Sequence, residues 1–161
     1  MASHHYKKQA KDLLLTELEE TRRKINFFAK QFRLVLDIAN YKQIIINEND
    51  NLKENKIFRA IFSMGYHYGT RLNQDIGKAY EYHVSIQKEF SGFNYEFEML
   101  LEALKIIKNK LYDDESNNII TIKDLRSDIE HLKITTKRST THMDNMVKKL
   151  NLGTLYFMND E

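Results

Sequence analysis

The sequence predicts an all-α chain, an elongated antiparallel bundle of four or five helices forming one domain over residues 1–161. Three observations predict it. Proline is absent and glycine occurs only five times, so few positions forbid a helix. Apolar residues recur by threes and fours along most of the chain, the period of one helix face. No strand-like alternation competes, except over Ile119–Ile122. Hydrophobic residues make up 42% and charged residues 30%, which excludes a disordered or fibrous chain.

Residues 1–6 are polar and are expected to be a flexible N-terminus, lacking the apolar stretch of a signal peptide. His4 and His5 carry no functional weight. A long helix is predicted from near Tyr6 to near Ile46. In it Leu14, Leu18, Thr21, Ile25, Phe28, Phe32, Val35 and Ala39 step alternately by four and three, a heptad seam. Leu15, Phe27, Leu36 and Ile38 widen that stripe, as in a bundle helix rather than an isolated two-stranded coil. The run Asn47-Glu48-Asn49-Asp50-Asn51 stops the helix, because Asn and Asp side chains compete for the backbone.

A second helical region starts at Lys56, with Phe58, Ile61, Phe62, Met64 and Tyr68 as its apolar set. Gly69–Asn73 reads as a turn, and Asn73 as the N-cap of a helix carrying Ile76, Ala79, His83, Ile86 and Phe90. Beyond Gly92, where a kink or turn is expected, Phe93, Phe97, Leu100, Leu104, Ile107 and Leu111 step 4-3-4-3-4. One continuous helix from about 54 to 112 also keeps this register; four glycines inside it, each costing about 1 kcal/mol relative to alanine, disfavour it. Asp113–Asn118 is a loop. The last helix carries Ile122, Leu125, Ile129, Leu132, Thr136, Ser139, Met143, Met146 and Leu150, and its polar middle, Thr135–Thr141, is where a kink is expected. Asn151-Leu152-Gly153 reads as a C-cap, followed by an apolar tail, Leu155-Tyr156-Phe157.

The formal net charge is +2, from 25 Lys plus Arg against 23 Asp plus Glu, too balanced to mark a nucleic-acid binder by bulk charge. With no cysteine there is no disulfide framework, thiolate metal site or cysteine nucleophile. The longest apolar runs are too short for a transmembrane helix, and a cytoplasmic location is expected. Charge is unevenly distributed. Arg22, Arg23, Lys24, Lys30 and Arg33 form one basic patch; Lys133, Lys137, Arg138, Lys148 and Lys149 form another. Residues 75–116 hold nine acidic residues against five lysines. The plain reading has the basic helices flanking an acidic middle; the sharper one is an anion-facing surface.

Arg126-Ser127-Asp128-Ile129-Glu130-His131 sets an arginine and a histidine five apart on one helix. The pair resembles the catalytic motif of the HEPN ribonucleases, small helical bundles that dimerise to pair two motifs over RNA. The resemblance is confined to this segment; it implies a ribonuclease with His131 as general base and Arg126 clamping phosphate. Asp113, Glu115, Asn117 and Asp124 resemble an EF-hand loop, which implies oxygen ligands for calcium at those positions. Asn118 and Asp124 replace the glycine and the bidentate glutamate of that motif, and no metal or cofactor is expected. Met64–Tyr68 with Lys78–Tyr82 resembles a helix–turn–helix unit of the tetratricopeptide repeats and implies an αα-hairpin. His83 lies on an apolar seam and reads as a core histidine. No glycine-rich phosphate loop, serine elbow or HExxH motif is present.

The expected function is therefore a non-enzymatic protein-interaction module, an adaptor, regulatory or chaperone-like protein that binds another protein or a second copy as a homodimer. The long helix offers more than the roughly 100° arc that one core-facing stripe needs, and Phe27, Leu34 and Leu15 at its flanks are the expected interaction surface. The alternatives are the HEPN-like ribonuclease using Arg126 and His131, and a small nucleic-acid-binding subunit using the basic patches.

Overall fold

The computed structural model describes residues 46–82 and 87–149 and, before them, Thr16, Glu20, Arg23, Lys24 and Phe27; side chains 79–82, 87–90 and 146–149 lie outside the description. Among the described residues there are three long helices and no strand. We label them α1 (Lys56–Tyr82), α2 (Gln87–Leu111) and α3 (Arg126–Lys149), with one 3₁₀ turn, Leu52–Glu54, ahead of α1. The five earlier residues are each helical. The expectation of four or five helices, the C-cap at 151–153 and the tail at 155–157 extend to residues outside this description, as does His83.

The Asn/Asp-rich segment provides the stop and the next start. The Asp50 carboxylate accepts the Asn47 N–H at 3.1 Å. The Asn51 side chain accepts the Lys53 N–H, and the Asn55 side chain accepts the Phe58 N–H at 3.0 Å. Each satisfies a donor that a helix start leaves open.

α2 packs along both α1 and α3, antiparallel to each. The Arg59 guanidinium lies 4.2 Å from the Tyr112 ring centre and the Lys108 ammonium 4.8 Å from that of Tyr66, so residue numbers rise on α1 as they fall on α2. On the other side Lys110 meets Asp128 at 2.6 Å, and Ser139 donates to the Glu96 carbonyl at 2.9 Å. This geometry rules out one continuous helix over 54–112. The core lies between these faces. Phe58, Phe62, Phe93, Phe97, Leu100, Leu104, Ile107 and Leu111 are wholly buried, with Leu125, Ile129 and Leu132 from the third helix. Phe58–Phe62 and Phe93–Phe97 each bring ring centres to 5.0 Å.

Three local expectations fail for physical reasons. Gly69–Asn73 is not a turn but the middle of α1, with Gly65 and Gly69 both buried. These glycines fall on the same 3–4 row as Phe58, Phe62, Leu72 and Ile76, so they act as small packing residues rather than breakers. Met64–Tyr68 and Lys78–Tyr82 consequently share one helix, and the αα-hairpin implied by the repeat resemblance is absent there. Gly92 lies inside α2; a Cβ placed on it would stand 3.0 Å from Nδ1 of His142, so the glycine permits a close approach of α3. Thr135–Thr141 does not kink α3. Its hydroxyls bond locally, Thr135 to the Leu132 and His131 carbonyls and Thr140 and Thr141 to that of Lys137, which removes their competition for the ladder.

Candidate functional site

A groove of about 340 Å³ opens between the N-terminal helical residues and α1. Its described lining is Arg23, Lys24 and Phe27 on one side and Tyr68, Arg71, Leu72 and Asp75 on the other. Helical spacing presents both sets. Arg23, Lys24 and Phe27 lie within one turn. Tyr68, Arg71, Leu72 and Asp75 follow at steps of three, one and three, which brings them onto one side of α1.

The floor is apolar. The Phe27 and Tyr68 rings meet edge to face with centres 5.8 Å apart, beside Leu72, which is almost wholly buried. Phe27 nonetheless keeps 52% of its surface exposed. The rim is cationic. Lys24 pairs with Asp75 at 3.4 Å. Among the described residues, Arg23 and Arg71 have no ion-pair or hydrogen-bond partner, so the described lining carries two uncompensated guanidinium groups. An arginine fork matches a carboxylate or phosphate in bidentate fashion, and a ring edge beside it accepts an apolar side chain. The described lining holds no nucleophile paired with a base, and its chemistry is recognition.

Of the expected interaction surface, the structure places Phe27 on this groove; Leu15 and Leu34 lie outside the described residues. Of the first basic patch it places Arg23 and Lys24 there, while Arg22, Lys30 and Arg33 lie outside. Lys137 and Arg138 are exposed on α3, remote in sequence and element from the groove lining. Tyr68, Arg71 and Asp75 were not anticipated. Their 3–4 spacing is visible in the sequence, but reading Gly69 as a turn divided it.

Arg126 opens α3 and His131 follows five residues later, both exposed. At about 100° per residue their directions differ by roughly 140° about the axis, so one copy of the helix does not converge both on a single atom. Between them Asp128 is engaged by Lys110 at 2.6 Å and Glu130 by Lys133 at 3.3 Å.

The EF-hand-like loop uses its groups internally. Asp113 offers its main-chain carbonyl to the Lys53 ammonium at 2.9 Å, and Ser116 does so at 3.0 Å. The Asp124 carboxylate accepts the Thr121 N–H at 2.9 Å and the Thr121 hydroxyl at 3.1 Å. The N–H first, and the hydroxyl second, hold Asp124 below its ordinary carboxylate pKa. Among the described residues no group of three His, Asp or Glu side chains stands close enough to hold a metal ion, and no helix is long and apolar enough to cross a membrane.

No protein-family model, curated protein or solved structure matches the chain.

Proposed function

We propose that this chain is a non-enzymatic helical protein-interaction module, adaptor, regulatory or chaperone-like, that receives an acidic, apolar-bearing segment of a partner protein. The observation that carries the reading is the groove at Phe27: a half-exposed aromatic floor flanked by Arg23 and Arg71, neither of which is paired among the described residues. An apolar side chain seated on Phe27 and Tyr68 gains burial at about 25 cal/mol per Å². Carboxylates beside it meet the two guanidinium groups, which set orientation and specificity more than raw affinity. A bare anion gains only the rim and a bare apolar residue only the floor, so the groove favours a segment that has both.

The test is affinity capture with the full chain, run in parallel with Phe27→Glu and with Arg23→Glu/Arg71→Glu. A partner held by the unaltered chain and lost by both variants supports the reading, provided the captured region is acidic and apolar. Equal recovery by all three chains overturns it. An RNA-cleavage assay on the same material tests the alternative ribonuclease: activity lost in Arg126→Ala and His131→Ala would replace the interaction reading by that one.

A further inference from the structure

The central helix carries a second unpartnered face. Opposite the buried row Phe93, Phe97, Leu100, Leu104, Ile107 and Leu111, the residues Tyr95, Met99 and Ile106 are 66%, 39% and 41% exposed. With Glu102 they step by four, three and four, one row along α2. Glu98 and Lys105, both exposed, flank this row two turns apart and on the same side. The row thus has an acidic first half, Glu98 and Glu102, and a basic position, Lys105, in its second half. Among the described residues none of these three has an ion-pair partner. The next two lysines are engaged, Lys108 over the Tyr66 ring and Lys110 on Asp128.

This pattern is self-complementary in one direction only. Two copies of α2 laid parallel would set Glu98, Glu102 and Lys105 each against its own like charge, which opposes association. Laid antiparallel about a two-fold axis near residue 101, each Glu98 approaches the partner's Lys105 and each Tyr95 the partner's Ile106. Met99 then packs on the aliphatic stem of the partner's Glu102. Every contact occurs twice, as an isologous interface requires. We propose that this row is a homodimer seam in which α2 of two copies pack antiparallel.

The occupant is a second copy because the charges on the row complete one another without any outside group. The seam lies on a different helix from the Phe27 groove and is independent of the reading given to it. One helix row per copy is small, so the dimer belongs to the weak, concentration-dependent class of interfaces.

The experiment is sedimentation velocity of the full chain over about 10–500 µM, the range in which small interfaces assemble, with circular dichroism as a control for folding. The expected result is a shift from monomer to dimer with concentration. Glu98→Lys and Lys105→Glu should each weaken dimerisation at least about tenfold, since each sets like charges across the seam twice. The double variant Glu98→Lys/Lys105→Glu should recover it, because exchange of the two charges restores the pairing. Orientation is read separately. The chain has no cysteine, so a mixture of Tyr95→Cys and Ile106→Cys chains should oxidise to a covalent dimer, and either variant alone should do so far more slowly.

A monomer at every concentration overturns the proposal. So does a dimer that both single reversals leave intact, which would associate through another face. A double variant as weak as the singles, or cross-linking by Tyr95→Cys alone as fast as in the mixture, overturns the antiparallel seam.

Discussion

Ser139, at the centre of the most polar stretch of α3, donates its hydroxyl to the main-chain carbonyl of Glu96 on α2, 2.9 Å away across the helix interface. The residue is wholly buried, so its small size permits the contact and its hydroxyl is satisfied there. Three residues earlier Thr136 is also buried, but its hydroxyl oxygen has no hydrogen-bond partner. The two positions therefore predict opposite outcomes. Ser139→Ala should lower stability by about 1 kcal/mol, the net value of one buried hydrogen bond. Thr136→Val replaces an unpaired hydroxyl by a methyl of similar shape, keeps the β-branch, and should raise stability by about 0.5–1 kcal/mol. Urea midpoints for the two variants decide; a Thr136→Val protein less stable than its parent would show that the hydroxyl is satisfied in solution.

Two helical glycines give a second contrast. Nothing stands within 4 Å of a Cβ placed on Gly77, whereas one placed on Gly92 meets two His142 ring atoms at 3.0 and 3.2 Å. Gly77→Ala should therefore collect the full helix-propensity gain, about 1 kcal/mol, and raise the thermal midpoint by roughly 2–4 °C for a chain of this size. Gly92→Ala gains the same propensity but must displace the imidazole, and its net effect should lie near zero. Gly92→Val, bulkier at the same contact, should be destabilising by about 1–3 kcal/mol. Thermal scans of the three variants should rank Gly77→Ala first and Gly92→Val last.

Asp124 supplies a pH dependence of known sign. Its pKa lies below the ordinary value of 3.8, chiefly through the Thr121 N–H and then the Thr121 hydroxyl. A depressed carboxyl favours the charged form in the folded chain. Its contribution to stability is complete above the unfolded value and is lost as pH falls through the lower folded value. Thr121→Ala removes the hydroxyl and keeps the N–H, so Asp124 should then titrate closer to its ordinary pKa but still below it. A carboxyl-carbon titration by nuclear magnetic resonance reads this directly. Titration at or above the ordinary value in the unaltered chain would mean that the Thr121 contacts do not persist.

The helical class and much of the core were legible because they depend on periodicity alone. Phe93, Phe97, Leu100, Leu104, Ile107 and Leu111 are the residues that the 4-3-4-3-4 spacing selects, and each is wholly buried. The misread places depend on what stands opposite. Gly65, Gly69 and Gly92 have one local propensity, unfavourable to helix, and only the neighbour that needs the space makes them useful. Thr135–Thr141 looked weak because its hydroxyls compete for backbone groups; Ser139 finds an acceptor 43 residues away, a distance no local reading spans. The groove was half legible for the same reason. Arg23, Lys24 and Phe27 stood out as a basic and apolar cluster, whereas Tyr68, Arg71 and Asp75 gain meaning only from the helix packed beside them.

The loop after α2 gives the last prediction. Lys53, in the turn before α1, reaches the carbonyls of Asp113 and Ser116, while Leu52 donates its N–H to the Ile120 carbonyl at 2.7 Å and Asn51 accepts the Ile120 N–H. An ammonium thus fixes the loop to the 3₁₀ turn, using two oxygens where the EF-hand resemblance implied calcium ligands, and Asp124 is spent on Thr121. A divalent ion needs six to eight oxygens converging on one point, and those it would draw on are already turned to other groups. Millimolar calcium should therefore move the thermal midpoint of the unaltered chain by less than about 1 °C; a saturable rise of several degrees, lost in Asp113→Ala, would show that the loop rearranges around the ion. Lys53→Met keeps the aliphatic stem and removes the charge, and should cost about 1–2 kcal/mol. It should also speed hydrogen exchange at the Leu52 amide, whose partner Ile120 sits in the loop that Lys53 holds. If Lys53→Met changes neither stability nor that exchange rate, Asn51 and the Leu52–Ile120 pairing hold the loop without the ammonium.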